Sequence, residues 1–183
     1  MLETTEDTEI TEDLPILMKL NLKQITIDDL PFVVEQFKEA AKKIAKLEID
    51  HWQYWVDPPK EKVDWVIEGL EGLEFYYVQK EDGEQIGMLR IMDEDLIYWG
   101  PQADKARYVH SLAIKEKFNG KGLGKVVLDM VAKEAGREGC KYLRLDCDSK
   151  NSRLCNYYLG LGFEQVGQVK LEISTYNLYQ KEV

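Results

Sequence analysis

Ser111-Leu112-Ala113-Ile114-Lys115-Glu116-Lys117-Phe118-Asn119-Gly120-Lys121-Gly122-Leu123-Gly124-Lys125 is the stretch from which the fold is read. It follows a strand-like run, Tyr108–Ile114. It leads into an amphipathic helix carrying Leu123, Val126, Val127, Met130 and Ala135 at helical spacing. Alternating glycines between a strand and a helix let backbone amides approach an anion with no Cβ in the way. The helix N-terminus adds unpaired N–H groups and the positive end of a dipole, which suits a phosphate or pyrophosphate. The same glycines also fit a tight strand-to-helix turn that holds nothing. Two other phosphate loops are excluded by spacing. A P-loop needs four residues between its glycines and then Lys-Ser/Thr, whereas three separate Gly120 from Gly124 and Val126 follows Lys125. The dinucleotide fingerprint needs G-x-G-x-x-G, and this is G-x-G-x-G.

Working outward, Leu20, Leu22 and Ile25 alternate with polar residues as a first strand. Asp28 and Asp29 are placed to cap a helix that runs to about Lys46, with Pro31 in its first turn. His51–Pro59 (HWQYWVDPP) reads as an aromatic loop, and a second helix from Pro59 to Gly69 follows it. Phe75–Gln79 and Gln85–Met92, joined through Glu81-Asp82-Gly83, form the strongest hairpin signal. Downstream of the long helix come a strand, Tyr142–Cys147, and a short helix, Ser152–Leu161. Strands at Phe163–Val169 and Leu171–Tyr179 complete the chain. The order predicts an α/β (α+β) domain over residues 19–183: a mixed sheet with helices on both faces. Residues 1–18 read as an acidic, disordered N-terminal tail, or as the product of a start assigned too far upstream of Met18.

Composition narrows the classes of function. The 183 residues are 44% hydrophobic, enough for one core and too few for two ordinary domains. No run approaches the ~18 apolar residues that a membrane helix needs. The first 13 residues carry six acids and no base, the wrong charge for a secretory signal. A formal net charge of -10 argues against a nucleic-acid partner, whose affinity comes from Lys and Arg. Cys140, Cys147 and Cys155 are odd in number and match no zinc spacing, so they read as reduced thiols of a cytoplasmic protein, with no metal expected.

Further motifs bring in a family. Leu112-Ala113-Ile114, four residues, then Asn119-Gly120-Lys121-Gly122-Leu123-Gly124 resembles the acyl-CoA pyrophosphate loop of the GNAT superfamily of N-acetyltransferases. The later signature of that family, an Asn, a Tyr seven positions on, then three residues and Gly-Phe, is matched by Asn151, Tyr158 and Gly162-Phe163. One position departs: Asn119 stands where the family has Arg or Gln. The resemblance implies the GNAT fold, a mostly antiparallel sheet with the fourth and fifth strands splayed apart, and acetyl-CoA as co-substrate. It assigns the donor to Leu112, Ala113, Ile114, the loop Asn119–Lys125 and Asn151.

The chemistry implied is direct attack of an amine on the acetyl thioester. It needs a held donor, an uncharged amine, a stabilised oxyanion and a protonated leaving thiolate. Tyr158 matches the general acid of the family, and a backbone N–H near Leu112 would face the thioester oxygen. Strand alternation puts Tyr108, His110 and Leu112 on one face, with His110 as the base, as a structural histidine, or replaced by a water chain to Asp146 or Glu172. Asn151 is a donor contact, a helix N-cap, or both. The acceptor wall falls to His51, Trp52, Tyr54 and Trp55, which otherwise are core and rim, with Tyr108 as a further candidate. Asp50 and Asp57 beside these aromatics suit a small cationic amine. The expected acceptor is therefore the amine of a small molecule, or of a peptide N-terminus or lysine, and the expected enzyme a monomer or homodimer. A catalytically silent acyl-CoA-binding module is the alternative.

Overall fold

The computed structural model describes residues 19–46 and 52–183. The expected tail, Asp50 and His51 lie outside the described residues. Seven strands form one sheet: β1 (Leu20–Gln24), β2 (Phe75–Lys80), β3 (Gln85–Met92), β4 (Ala106–Ile114), β5 (Tyr142–Asp148), β6 (Glu164–Lys170) and β7 (Thr175–Glu182). Their order is β1-β2-β3-β4-β5-β7-β6, and only the β4–β5 pair is parallel. Leu171–Ser174, expected as strand, is the turn of the last hairpin, closed by the Leu171 N–H donating to the Ser174 carbonyl at 2.9 Å. Strand potential yields there because the chain must reverse.

Among the described residues four α-helices cover the sheet: α1 (Leu30–Ala45), α2 (Lys60–Glu71), α3 (Leu123–Arg137) and α4 (Ser152–Gly160). Apolar spacing decides which face each takes. Val33, Phe37 and Ala41 of α1 and Val66 and Leu70 of α2 pack with Phe75, Tyr77 and Met88 on one side. Leu123, Val127, Leu128 and Val131 of α3 and Cys155 of α4 pack with Val78, Val109, Leu145 and Tyr179 on the other. Asp29 precedes α1, but its carboxylate turns back to accept from the Thr26 N–H and hydroxyl, so it closes the preceding turn instead of capping the helix. Among the described residues no helix is long and apolar enough to cross a membrane. All three cysteines are free and buried.

The middle of the sheet is irregular, and this is what positions the site. β4 pairs with β5 only from Ala106–Tyr142 to Val109–Leu145; beyond that the two strands part. On its other edge, β4 holds three steps (His110 to Ala113) against two in β3 (Arg90 to Met88), a β-bulge. Ser111 sits at the bulge with φ 57°, a left-handed conformation that a non-glycine residue holds only under constraint from its surroundings. The extra residue reverses side-chain parity. His110 stays on the α1/α2 face opposite Arg90, whereas Leu112 and Ile114 pack into the α3/α4 cluster. The expected single face for Tyr108, His110 and Leu112 is thus corrected, because strict alternation fails at a bulge.

Candidate active site

A cavity of about 820 Å³ occupies the gap left where β4 and β5 part. It opens both faces of the sheet to each other. His110 and Asp146 line it from the α1/α2 side; Leu112, Cys147 and Tyr158 line it from the α3/α4 side. Asn151, Ala113 and Ile114 also line it, and the wall continues along the chain as far as Lys117.

The glycine loop follows that wall. Gly120 and Gly122 have φ of 75° and 68°, and Gly122 is the residue before α3. A Cβ on either would meet nothing within 4 Å, so the space above the loop is open. Positive φ selects glycine here; the Lys125 and Val126 N–H groups donate to the Gly122 carbonyl at 3.1 and 3.3 Å, which leaves those of Leu123 and Gly124 at the open end of α3. The backbone therefore fits a pyrophosphate. Gly124 has a different reason for being glycine: a Cβ there would come 2.9 Å from the hydroxyl of Tyr157, which packs α4 on α3. Lys121 Nζ stands 5.5 Å over the Phe118 ring, and Lys125 pairs with Asp129 one turn along α3. Asn119 Oδ1 accepts from Lys43 Nζ at 2.7 Å, so the departing position is tied to α1. Lys43 is itself held below its ordinary range by burial.

Tyr158 is packed between Phe163 and Tyr179, with ring centroids at 6.0 and 5.7 Å. Burial, with Cys147 and Asp146 adding negative potential, pushes its phenol far above the ordinary range, so it stays protonated. Asn151 is a true N-cap, its Oδ1 accepting from the Leu154 N–H at 3.1 Å, and it faces the cavity as well.

His110 lies between two carboxylates. Nε2 is 3.0 Å from Asp95 Oδ2 and Nδ1 is 3.4 Å from Asp146 Oδ1. Burial works against the charged ring, but Asp146 and Asp95 outweigh it and raise its pKa. Asp146 is raised to about 6 by burial, with His110 lowering it and Asp95 raising it. The two residues hold one proton between them more tightly than either would in water. Asp95, His110 and Asp146 bring ligand-type atoms within 4.8 Å of one another, yet each carboxylate already faces its own ring nitrogen, a geometry for sharing protons.

The proposed acceptor residues divide. Trp52 and Tyr54 line the cavity. Trp55 touches it but is only 2% exposed and stacks on Phe37 at 4.0 Å, so it is chiefly core. Tyr108 does not line the cavity; it is buried and its hydroxyl accepts from Arg144 Nη1 at 2.8 Å. Parity put it on the His110 face, but Arg144 and the Trp99 ring cover it there. Sequence reasoning missed Asp95, Ile97 and Tyr98, all on the connection between β3 and β4. Its length, 93–105, was the available signal, since long connections in compact domains are often binding loops.

Comparison with known proteins agrees with this architecture. The profile of the acetyltransferase (GNAT) family matches residues 42–163, and the chain belongs to that family. It is 29% identical over 112 residues to YesJ of Bacillus subtilis (strain 168), an uncharacterized N-acetyltransferase; the match covers 58% of this chain and 61% of that protein. A GNAT-family acetyltransferase from Listeria monocytogenes 4b F2365 superposes with a TM-score of 0.72 at 23% identity, covering 90% of this chain and 95% of the other. Spermidine N-acetyltransferase from Vibrio cholerae, solved with CoA and spermine, superposes with a TM-score of 0.61 at 14% identity, covering 89% and 95%.

Proposed function

We propose that this protein transfers the acetyl group of acetyl-CoA to the amine of a small molecule by direct attack. The observation that carries the reading is the cavity through the β4–β5 gap, which has His110 on one side and Tyr158 on the other and ends beside the glycine loop. Acetyl-CoA supplies the activated thioester. The unpaired edge of β4 beyond Val109 offers backbone groups to its extended arm, as a sheet edge does to an added strand. A backbone N–H near Leu112 meets the thioester oxygen, a donor typically worth ~2.7–4 kcal/mol of barrier in acyl transfer. The Gly120–Gly124 loop and the first turn of α3 take the pyrophosphate.

The acceptor enters on the α1/α2 side. Its ammonium approaches Asp146 and His110, and its body meets Tyr54, Tyr98, Tyr176 and Ile97, an apolar and aromatic wall. That lining favours an amine with an apolar or aromatic body. After the ammonium gives one proton to the His110–Asp146 pair, the free amine attacks the carbonyl carbon. The tetrahedral intermediate then expels sulfur. Tyr158 gives its phenol proton to the thiolate and regains one from the new amide nitrogen, so one proton is released per turnover. Retention of a protonated, cavity-facing Tyr158 supports turnover over the silent binding module.

The test is thiol release from acetyl-CoA with a panel of amines, for wild type and Tyr158→Phe. The substitution removes one oxygen and keeps the packing against Phe163 and Tyr179. Turnover is expected to fall ~10²-fold or more with CoA affinity little changed, because the lost interaction develops in the transition state. Near-wild-type kcat in Tyr158→Phe makes the phenol structural. No thiol release by wild type with any amine defeats the reading.

A further inference from the structure

Asp95 has no part in the chemistry described so far, yet it is one of the few buried acids of the chain. It stands on the connection between β3 and β4, and two hydrogen bonds, one to its side chain and one to its backbone, hold that connection around it. Asp95 Oδ1 accepts from the Tyr98 N–H at 3.1 Å, and the Asp95 carbonyl accepts from the Trp99 N–H at 2.9 Å. The other carboxylate oxygen, Oδ2, is 3.0 Å from His110 Nε2. Asp95 does not line the large cavity. It lines a separate one of about 310 Å³, with Glu68, Glu94 and Arg90, on the far side of the His110 ring. Whatever it does to the substrate, it does through the histidine.

The hydrogen-bonding inventory decides which nitrogen carries the proton. A carboxylate only accepts, so the nitrogen that meets Asp95 must donate. That assigns N–H to Nε2 and leaves a lone pair on Nδ1 of the neutral ring. Nδ1 faces Asp146 Oδ1 at 3.4 Å, and that oxygen is buried with no hydrogen-bond partner among the described residues. Two acceptors face each other at the wall of the large cavity, and such a pair is stable only with a proton or a donor between them. Arg90 from β3 opposes a positive ring, Tyr98 has its ring 5.4 Å away and a phenol that burial keeps protonated, and Glu68 of α2 and Glu94 line the smaller cavity with the ring.

Building on the acetyl-transfer reading, we infer that Asp95 is a positioning residue of the reaction. It keeps the proton of His110 on Nε2, so that Nδ1 with the Asp146 carboxylate is the pair that takes the acceptor's proton. The N–H bond of the ammonium breaks and its electron pair stays on the amine nitrogen. The proton rests between Nδ1 and Oδ1, and it returns to solvent when the products leave the large cavity. The logic is that of a triad in which a buried acid fixes the tautomer of the base.

Two measurements test this. The first reads imidazole nitrogen NMR shifts of the wild-type protein across the pH range of activity, with the His110 resonances assigned by their loss in His110→Gln. The neutral ring is expected to be protonated on Nε2. A neutral ring protonated on Nδ1, or a ring doubly protonated at every pH where the enzyme works, overturns the inference without reference to any variant. The second compares kcat/KM of Asp95→Asn with wild type over pH. At pH 7 the loss is expected to be ~10²-fold or more, the usual scale for acid–base groups, and to shrink as pH approaches the pKa of the acceptor amine, which then arrives without its proton. The melting shift with CoA should be unchanged. A loss by the same factor at every pH, or an unchanged profile, makes Asp95 structural. An active wild type with that outcome defeats this inference alone; an inactive wild type defeats the acetyl-transfer reading beneath it.

Discussion

Asp146 and His110 bind protons more tightly in the folded chain than they would unfolded, and this has a sign that can be measured. Asp146 rises from an ordinary carboxylate value to about 6, and His110 is raised as well. A raised pKa contributes stability that is complete below the unfolded value and is lost as pH rises through the folded one. The pair therefore favours folding most in mild acid, against the trend of Glu84, which Lys117 and Lys80 hold down at about 2. Asp146→Asn should remove the first part of that loss. Its melting temperature relative to wild type is expected to rise by at least ~2 °C between pH 5 and 7.5, as judged from melts in matched buffers. A variant-minus-wild-type difference that is constant or falls as pH rises would show that Asp146 is not buried as a proton-holding acid. At this same scale Tyr157 and Tyr158 are adjacent in sequence and do unlike things, one packing against Gly124 and the other facing the cavity.

In the proposed reaction two elements hold the donor, the bulged end of β4 and the start of α3. Neither depends on a side chain reaching the donor; both present backbone. That is why Gly122 is the sensitive position of the loop. Its φ of 68° is strained for any L side chain, and a β-branched residue tolerates it least. Gly122→Val should abolish the melting shift that CoA produces, while the apo protein loses only about 1–2 kcal/mol for one residue in the left-handed region. Thermal melts with and without CoA read both quantities. If Gly122→Val keeps the full CoA shift, the pyrophosphate is held elsewhere. The bulge at Ser111 is the matching device in the sheet, since it turns Leu112 away from the His110 face just beyond the last β4–β5 pair, Val109–Leu145.

At the scale of the whole molecule the parted strands leave the two halves of the fold joined across the gap only by the start of the β4–β5 pair and by packing. A ligand lying in the gap touches α1, β4, β5 and α4 at once. CoA should therefore stabilise the protein globally, by about 2.7 kcal/mol at a hundred times its Kd. It should also slow amide exchange at residues 110–114 and 146–148 together. Absence of any melting shift at millimolar CoA would refute the placement of the donor.

Much of this was legible in the sequence. The element order, the glycine loop and the pairing of Asn151, Tyr158 and Gly162-Phe163 are local patterns, and local patterns survive without coordinates because spacing alone sets which backbone groups and faces coincide. The hairpin through Glu81-Asp82-Gly83 and the core faces of α1 and α3 were readable for the same reason. What tertiary structure alone decided was non-local. No pattern in the sequence marks the bulge at Ser111, which depends on how β3 and β4 register and which reverses parity for Leu112. The long connection 93–105 carries Asp95 back against His110 from 15 positions away, and no pattern in the sequence marks the Tyr98 N–H bond that holds its carboxylate. Tyr108 shares a face with His110 yet is sealed by Arg144 from β5, a neighbour that strand order chose. Periodicity determines which side of an element is apolar. Which charges then meet inside depends on desolvation and pairing between segments that only the folded sheet brings together.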